Sequence, residues 1–319
     1  MKLALRLVSI VVVLALAAVL VLYFNPLWVA DQQTRLHLWR EGVKSEYVEA
    51  GGYRLHYFEA LPSSGDGTPL VLIHGLGARG EDWQKMIPAM ARYGFHVYAP
   101  DLPGYGRSSK PADANYSISM EEAAVVSFMQ AVHVPRADVG GWSMGGWVVM
   151  KLALDHPEMV DRLVIYDGAG IYFPATFGSD LFVPNDAAGV ARLLKMLSPR
   201  PQAMPDFVAR AVVRKLQRNG WVIDRSMAAM TTGRDLLDFR LHDIRQPTLV
   251  VWGSDDVLIP LSVGRKIHED IPNSVLNVME GCGHLAPLEC GQPVAEATDA
   301  FLKTQPPMQG GEKTFPALE

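Results

Sequence analysis

Apolar and polar positions recur with different periods along this chain, and each change of period marks a new part. Leu7 to Phe24 is a continuous apolar run broken only by Ser9, close to the roughly 20 residues that cross a bilayer as a helix. Residues 1–26 therefore read as an N-terminal transmembrane anchor, and residues 27–44, which hold no sustained period, as a membrane-proximal connector. Ser45 to Ala50 and Tyr53 to Glu59 then alternate about Gly51-Gly52, the signature of a hairpin. Short apolar runs follow at Leu70–Ile73, Phe95–Ala99, Ala137–Gly141 and Leu163–Tyr166. Between them lie helically spaced stretches at Glu81–Arg92, Ser119–Val132 and Met144–Asp155. Ser119 and Glu122 predict a capping box at the start of the second of these.

This alternation predicts an α/β fold with a mostly parallel, doubly wound sheet covered on both faces. From about Gly170 to Leu241 it stops, giving way to helical pieces punctuated by Pro174, Pro184, Pro199, Pro201 and Pro205. Residues 171–241 are thus expected to form an inserted helical cap. Strands return at Thr248–Trp252 and Val275–Met279, with helices at Leu261–Ile271 and Pro293–Leu302, so the core spans 45–170 and 242–304. Residues 305–319, rich in Pro and Gly and without a period, predict a disordered tail. There are no internal repeats.

Composition narrows the picture. The chain has 319 residues, 49% of them hydrophobic, enough for one sizeable core with an insertion. Its formal net charge is -5, with both signs interspersed and no basic stripe evident, so nucleic acid is an unsuitable partner. The two cysteines, Cys282 and Cys290, are too few for a disulfide framework and lack the paired spacing of a zinc site. They read as small buried apolar side chains, with a bridge across the intervening His284 as the alternative.

Lys2 and Arg6 precede the N-terminal apolar run, and Tyr23, Phe24, Pro26 and Trp28 follow it as an interfacial aromatic belt would. A cleaved signal peptide is the competing reading, although its apolar region is normally about 7 to 15 residues. The basic pair favours an N-inside orientation, against a weaker pull from Arg35, Arg40 and Lys44 on the far flank.

The chemistry concentrates in four motifs. GWSMG, Gly141 to Gly145, lies between an apolar strand and an apolar helix, the context of a nucleophile elbow. Glycines two residues before and after Ser143 leave room for a tight turn that presents its hydroxyl at the carboxyl edge of the sheet. The helix beginning at Met144 offers free N–H groups and a positive dipole end to a developing oxyanion. HGLG, His74 to Gly77, ends an earlier strand where the Leu76 N–H would be the second oxyanion donor, and His74 itself reads as structural. A serine hydroxyl needs a base, and the base needs an acid that fixes its tautomer. GCGHLAP, Gly281 to Pro287, supplies His284, and WGSDDVLIP, Trp252 to Pro260, supplies Asp255 and Asp256.

Together these motifs resemble the α/β-hydrolase superfamily over about Ser45 to Leu302. The resemblance maps the family's W-G-x-x-D-x-x-x-P aspartate onto Asp256. Asp255 is left as a solvated turn residue, and Asp167 in IYDGAG as the outside candidate. It also implies a loop-shaping role for DLPGYGRS, Asp101 to Ser108. The implied catalytic set is Ser143, Asp256 and His284 with the Leu76 and Met144 amides, acting without metal or organic cofactor.

A serine at the elbow argues against haloalkane dehalogenases and epoxide hydrolases, which resemble this chain but carry aspartate there. With its anchor, the chain resembles membrane-bound monoacylglycerol lipases, which implies lipophilic carboxylic esters as substrates and the membrane as a partner. Met196, Met204, Phe207, Met227 and Met230, with Phe173, Phe177 and Phe182, read first as the cap's own core and, as the alternative, would suit an apolar acyl channel. The alternatives are a carbon-carbon bond hydrolase of vinylogous diketones, from whose His-Trp pattern Leu285 departs, and a non-catalytic hydrolase-fold binding protein.

Overall fold

The computed structural model describes residues 2–305, 307 and 310–316. Helix α1 (Lys2–Phe24) holds the apolar run, and 21 of its residues, Ala4–Phe24, form a stretch long and apolar enough to cross a membrane. None of that stretch is buried against the protein. The connector is ordered: Pro26 opens a second helix, α2 (Pro26–Arg40), whose Leu38 is buried. Proline suits a first helical position because its missing N–H would have no partner there. Sequence periodicity missed α2 because it buries only a narrow face and fixes itself otherwise through charges.

Strands β1 (Lys44–Ala50) and β2 (Tyr53–Ala60) form the expected antiparallel hairpin, turned by Gly51 and Gly52, both at positive φ. The sheet continues with β3 (Thr68–Ile73), helix α3 (Met86–Arg92), β4 (Phe95–Pro100), helix α4 (Ile118–Ala131), β5 (Ala137–Trp142), helix α5 (Met144–Asp155) and β6 (Val160–Tyr166). Ser117 rather than Ser119 caps α4, accepting from the Met120 N–H at 3.2 Å. The Ser119 hydroxyl instead donates to Asp235, and Glu122 lies beside His156, so the expected capping box is not formed.

Between β6 and β7 (Thr248–Gly253) the insertion carries helices α6 (Ala187–Leu197) and α7 (Asp206–Met230). Helix α8 (Leu261–Asp270), β8 (Ser274–Met279), the short α9 (Ala286–Glu289) and α10 (Gly291–Lys303) complete the core. The tail differs from expectation: β9 (Glu312–Phe315) pairs parallel with β8 and gives the sheet a ninth strand. The open edge of β8 supplies main-chain partners that four residues of sequence cannot advertise. Residues 306, 308, 309 and 317–319 of the same tail, and Met1 of the expected anchor, lie outside the described residues.

Strand order is β1-β2-β4-β3-β5-β6-β7-β8-β9, parallel from β4 onward in space. Period two divides each central strand between two cores. Val71, Ile73, Val139, Leu163, Ile165, Val250 and Trp252 face α4, α5 and α8. Leu70, Leu72, Val164, Tyr166, Leu249 and Val251 face α3 and α10. Both faces are therefore dry, which is why these strands read as unbroken apolar runs.

Candidate active site

The strand β5 must turn into α5 within one residue. Ser143 accomplishes this at φ 57, ψ -120, a conformation that side-chain-bearing residues rarely hold. A side chain at Gly141 would collide with the Gly145 carbonyl, and one at Gly145 with the Ile73 carbonyl at the end of β3. The strained turn is fixed by the Ser143 N–H donating to the Tyr166 carbonyl at 3.0 Å and by the Gly146 and Ala169 N–H groups donating to the Ser143 carbonyl.

The structure brings Ser143, His284 and Asp256 into one line. The His284 Nε2 lies 2.9 Å from the Ser143 hydroxyl, and its Nδ1 lies 2.8 Å from Asp256 Oδ2. Asp256 Oδ1 accepts from the Leu258 and Ile259 N–H groups, both at 2.9 Å, so its carboxylate is held by three donors. Asp255 turns away, accepting from the neighbouring Ser254 hydroxyl on an exposed turn. Asp167 is fully buried and accepts at Oδ1 from the Gly253 N–H at 2.7 Å. Its second oxygen has no partner among the described residues. Burial, reinforced by the charge of Asp256, pushes the Asp167 carboxyl well above the ordinary aspartate range, which favours its neutral form.

On the other side of Ser143, Leu76 and Met144 line the same cavity. Among the described residues neither main-chain N–H has a hydrogen-bond acceptor, leaving both available. Leu76 is positioned by His74, whose Nε2 accepts from the Leu102 N–H at 3.0 Å while Nδ1 faces the Gly75 carbonyl at 2.8 Å. Burial, partly offset by Asp101, keeps this imidazole below its ordinary pKa, so it is neutral with its proton on Nδ1. Asp101 in turn accepts from the Gly80 and Arg107 N–H groups and from His56. Burial works against that carboxylate, but these donors and the neighbouring imidazole hold its pKa at about 2.

Three positioning features were not legible as such. The Trp142 indole, inside GWSMG, donates to the His284 carbonyl at 2.7 Å, so the strand that leads into Ser143 also holds the histidine loop. Cys282 and Cys290 are joined in a disulfide that spans His284. This corrects the expectation of two separate buried thiols: the turn through α9 brings their Cα atoms to 6.4 Å, which bridging geometry permits. Finally, Arg79, three residues beyond Leu76, donates to Asp31 of α2 at 2.6 Å and pairs with Glu81 at 2.9 Å. Arg35 of α2 also reaches Glu81, at 3.0 Å. The connector is thus wired to the loop that follows Leu76.

A cavity of about 270 Å³ opens from Ser143 beneath the cap. Phe173, Phe177, Phe182, Met227 and Met230 line it, together with Trp147, Leu236 and Ile259, and none of its lining residues is charged. Three expected channel residues lie elsewhere. Met196 packs on the core, Met204 lines a separate cavity between α6 and α7, and Phe207 stacks on Tyr23 at the end of α1, with ring centroids 5.2 Å apart.

Comparison with known proteins places this geometry. Residues 68–289 match the family model described as the α/β-hydrolase fold. A 2-hydroxymuconate semialdehyde hydrolase of Pseudomonas sp. strain CF600 is 32% identical over 256 residues, 76% of this chain and 89% of that protein. Among solved structures, a membrane phospholipase A described as a bacterial virulence factor is 28% identical with a TM-score of 0.79. The match covers 95% of this chain and 98% of that one, a share that must include much of α1 and α2. A serine hydrolase involved in carbazole degradation is also 28% identical, with a TM-score of 0.69 over 82% of this chain and 98% of its own. On the fold, the elbow and these matches, the chain belongs to the α/β-hydrolase fold family.

Proposed function

We propose that the chain is a membrane-anchored serine hydrolase that cleaves lipophilic carboxylic esters of the monoacylglycerol type through an acyl-enzyme. The observation that carries this reading is the uncharged, aromatic- and methionine-lined cavity that begins at the Ser143 hydroxyl. Ser143 attacks the ester carbonyl while His284 Nε2 takes its proton. Asp256 holds the Nδ1 proton and stabilises the imidazolium. The Leu76 and Met144 N–H groups receive the oxyanion, each donor being worth on the order of 10²-fold in turnover. His284 then protonates the leaving alcohol, and water repeats the sequence on the acyl-enzyme.

Helix α1 is the anchor in this reading, with the N-terminus inside. The Cys282–Cys290 disulfide supports that orientation, since it belongs to an oxidising compartment. The membrane phospholipase A likeness, which extends into the N-terminal helices, supports the same assignment.

Hydrolysis of a chain-length series of nitrophenyl esters and monoacylglycerols by detergent-solubilised protein tests the reading. At about 0.8 kcal/mol per buried methylene, kcat/KM should rise roughly fourfold for each added CH2 until the cavity is filled, and Ser143→Ala should abolish turnover.

Carbon-carbon bond cleavage is the second reading, favoured by the 32% identity to the semialdehyde hydrolase. That relative's substrate is a carboxylate by its name, and this cavity offers no cationic side chain to receive one. Ser143-dependent turnover of a vinylogous diketone, with none on any ester, would establish the second reading in place of the first.

A further inference from the structure

The overall charge of -5 conceals a strong asymmetry. Residues 187–230, which span α6 and α7, contain eight arginines and lysines against two aspartates. Three of the arginines, Arg210, Arg214 and Arg218, recur every four residues on α7, which puts them on one helix face. All three are exposed. Among the described residues none of them has an ion-pair or side-chain hydrogen-bond partner.

The position of this face gives it meaning. Phe207, one residue into α7, stacks on Tyr23 in the last turn of α1. A small open cleft of about 140 Å³ lies between Phe24–Trp28 and the side of α7 that carries Ala211, Arg214 and Arg218. Tyr23, Phe24 and Trp28 are the aromatic residues where α1 ends, and such residues sit at headgroup depth. The guanidinium groups of Arg214 and Arg218 therefore stand at the level where lipid phosphates stand. Arginine matches phosphate geometry through paired N–H donors.

From these observations we propose that the Arg210–Arg214–Arg218 face of α7 is a docking surface for anionic phospholipid headgroups surrounding the chain's own anchor. The proposal rests on α1 being a membrane anchor. Its functional consequence follows from the length of α7. Its 25 residues span about 37 Å, and the far end supplies Met227 and Met230 to the cavity at Ser143. One continuous helix joins the headgroup layer to the substrate cavity, so lipid contact at one end fixes how the cavity is presented to the bilayer. Each arginine should shift the balance between docked and undocked cap about fivefold on an anionic surface, and salt should weaken the effect.

The full-length chain reconstituted into vesicles of phosphatidylcholine, with and without phosphatidylglycerol, provides the test. Amide exchange over residues 207–218 and turnover of a membrane-partitioned ester are followed together. Phosphatidylglycerol should slow exchange and raise turnover of the partitioned ester, but leave a water-soluble acetate ester unaffected. The triple variant Arg210→Gln/Arg214→Gln/Arg218→Gln should lose the response while keeping its turnover in phosphatidylcholine, and the triple Lys variant should retain most of it. Retention in vesicles with no response to phosphatidylglycerol, or a response undiminished in the Gln variant, overturns the docking surface alone. An equal response to a soluble polyanion such as heparin also overturns it, in favour of a non-membrane partner. Release of the wild-type chain from phosphatidylcholine vesicles by alkaline washing overturns the anchor, and the docking surface with it.

Discussion

Replacing Asp256 by asparagine preserves the shape of the side chain and both hydrogen bonds from the Leu258 and Ile259 N–H groups, since the amide oxygen accepts where Oδ1 does now. The amide nitrogen then faces His284 Nδ1, where a carboxylate stood at 2.8 Å. An NH2 group donates, so Nδ1 must become an acceptor and the imidazole proton moves to Nε2. In that tautomer the ring donates to Ser143 and cannot take its proton. The equivalent change in the serine-protease triad costs about 10⁴ in kcat, or about 5.5 kcal/mol of transition-state stabilisation. The same substitution at Asp167 should behave differently, because burial already favours the neutral form of that carboxyl and asparagine is its near-isostere. The Gly253 N–H still finds an acceptor, so a loss of less than about tenfold is expected. Rates of active-site acylation by a nitrophenyl ester, measured in a single turnover, separate the two variants. A larger loss in Asp167→Asn than in Asp256→Asn would refute the assignment of the acid.

Trp142→Phe removes the donor to the His284 carbonyl; it should cost about 1–3 kcal/mol of stability in denaturant melts and lower kcat more than KM, because it loosens the base. Asp138 is buried on β5, and burial with the nearby Asp161, only partly offset by Arg162, raises its pKa to about 7. A carboxyl raised on folding stabilises fully below its unfolded pKa and loses that contribution as pH rises toward the folded value. Asp138→Asn should therefore raise thermal stability at pH 8 by an amount on the order of a few kcal/mol and leave it unchanged near pH 4, as scanning calorimetry at the two pH values would report. Cys282→Ala/Cys290→Ala opens the loop around His284; chain entropy for a closed loop of this size gives a loss of about 2.5 kcal/mol, read from urea midpoints with unaltered secondary structure.

Much of the site was written in the chain. Glycines at 141 and 145 are required wherever a strand must turn into a helix through a serine, and the histidine and aspartate loops follow strands because open parallel sheets gather such loops at one edge. The resemblance carried the choice of Asp256 over Asp167, and the structure supplies a physical reason. Three donors surround Asp256 and one of them is His284, whereas among the described residues Asp167 meets the Gly253 N–H and makes no hydrogen bond with the imidazole. The cap's aromatic residues were legible as apolar but not as lining. Phe177 and Phe207 are alike in sequence, yet one faces the cavity and the other the end of α1.

The sequence by itself determined the local periods: an N-terminal apolar helix, a hairpin, alternating strands and helices, and an insertion where the alternation lapses. These depend on neighbours within a few residues, and a period needs no partner to be read. Only the tertiary structure decided that the connector is a helix tied to Arg79 and Glu81, that Glu312–Phe315 adds a ninth strand, and that Trp142 holds the histidine loop. The same is true of the packing of α7 against the end of α1, where Phe207 stacks on Tyr23. In each case the stabilising partner lies far away in the chain, so the free energy that selects the conformation belongs to contacts that no local pattern contains.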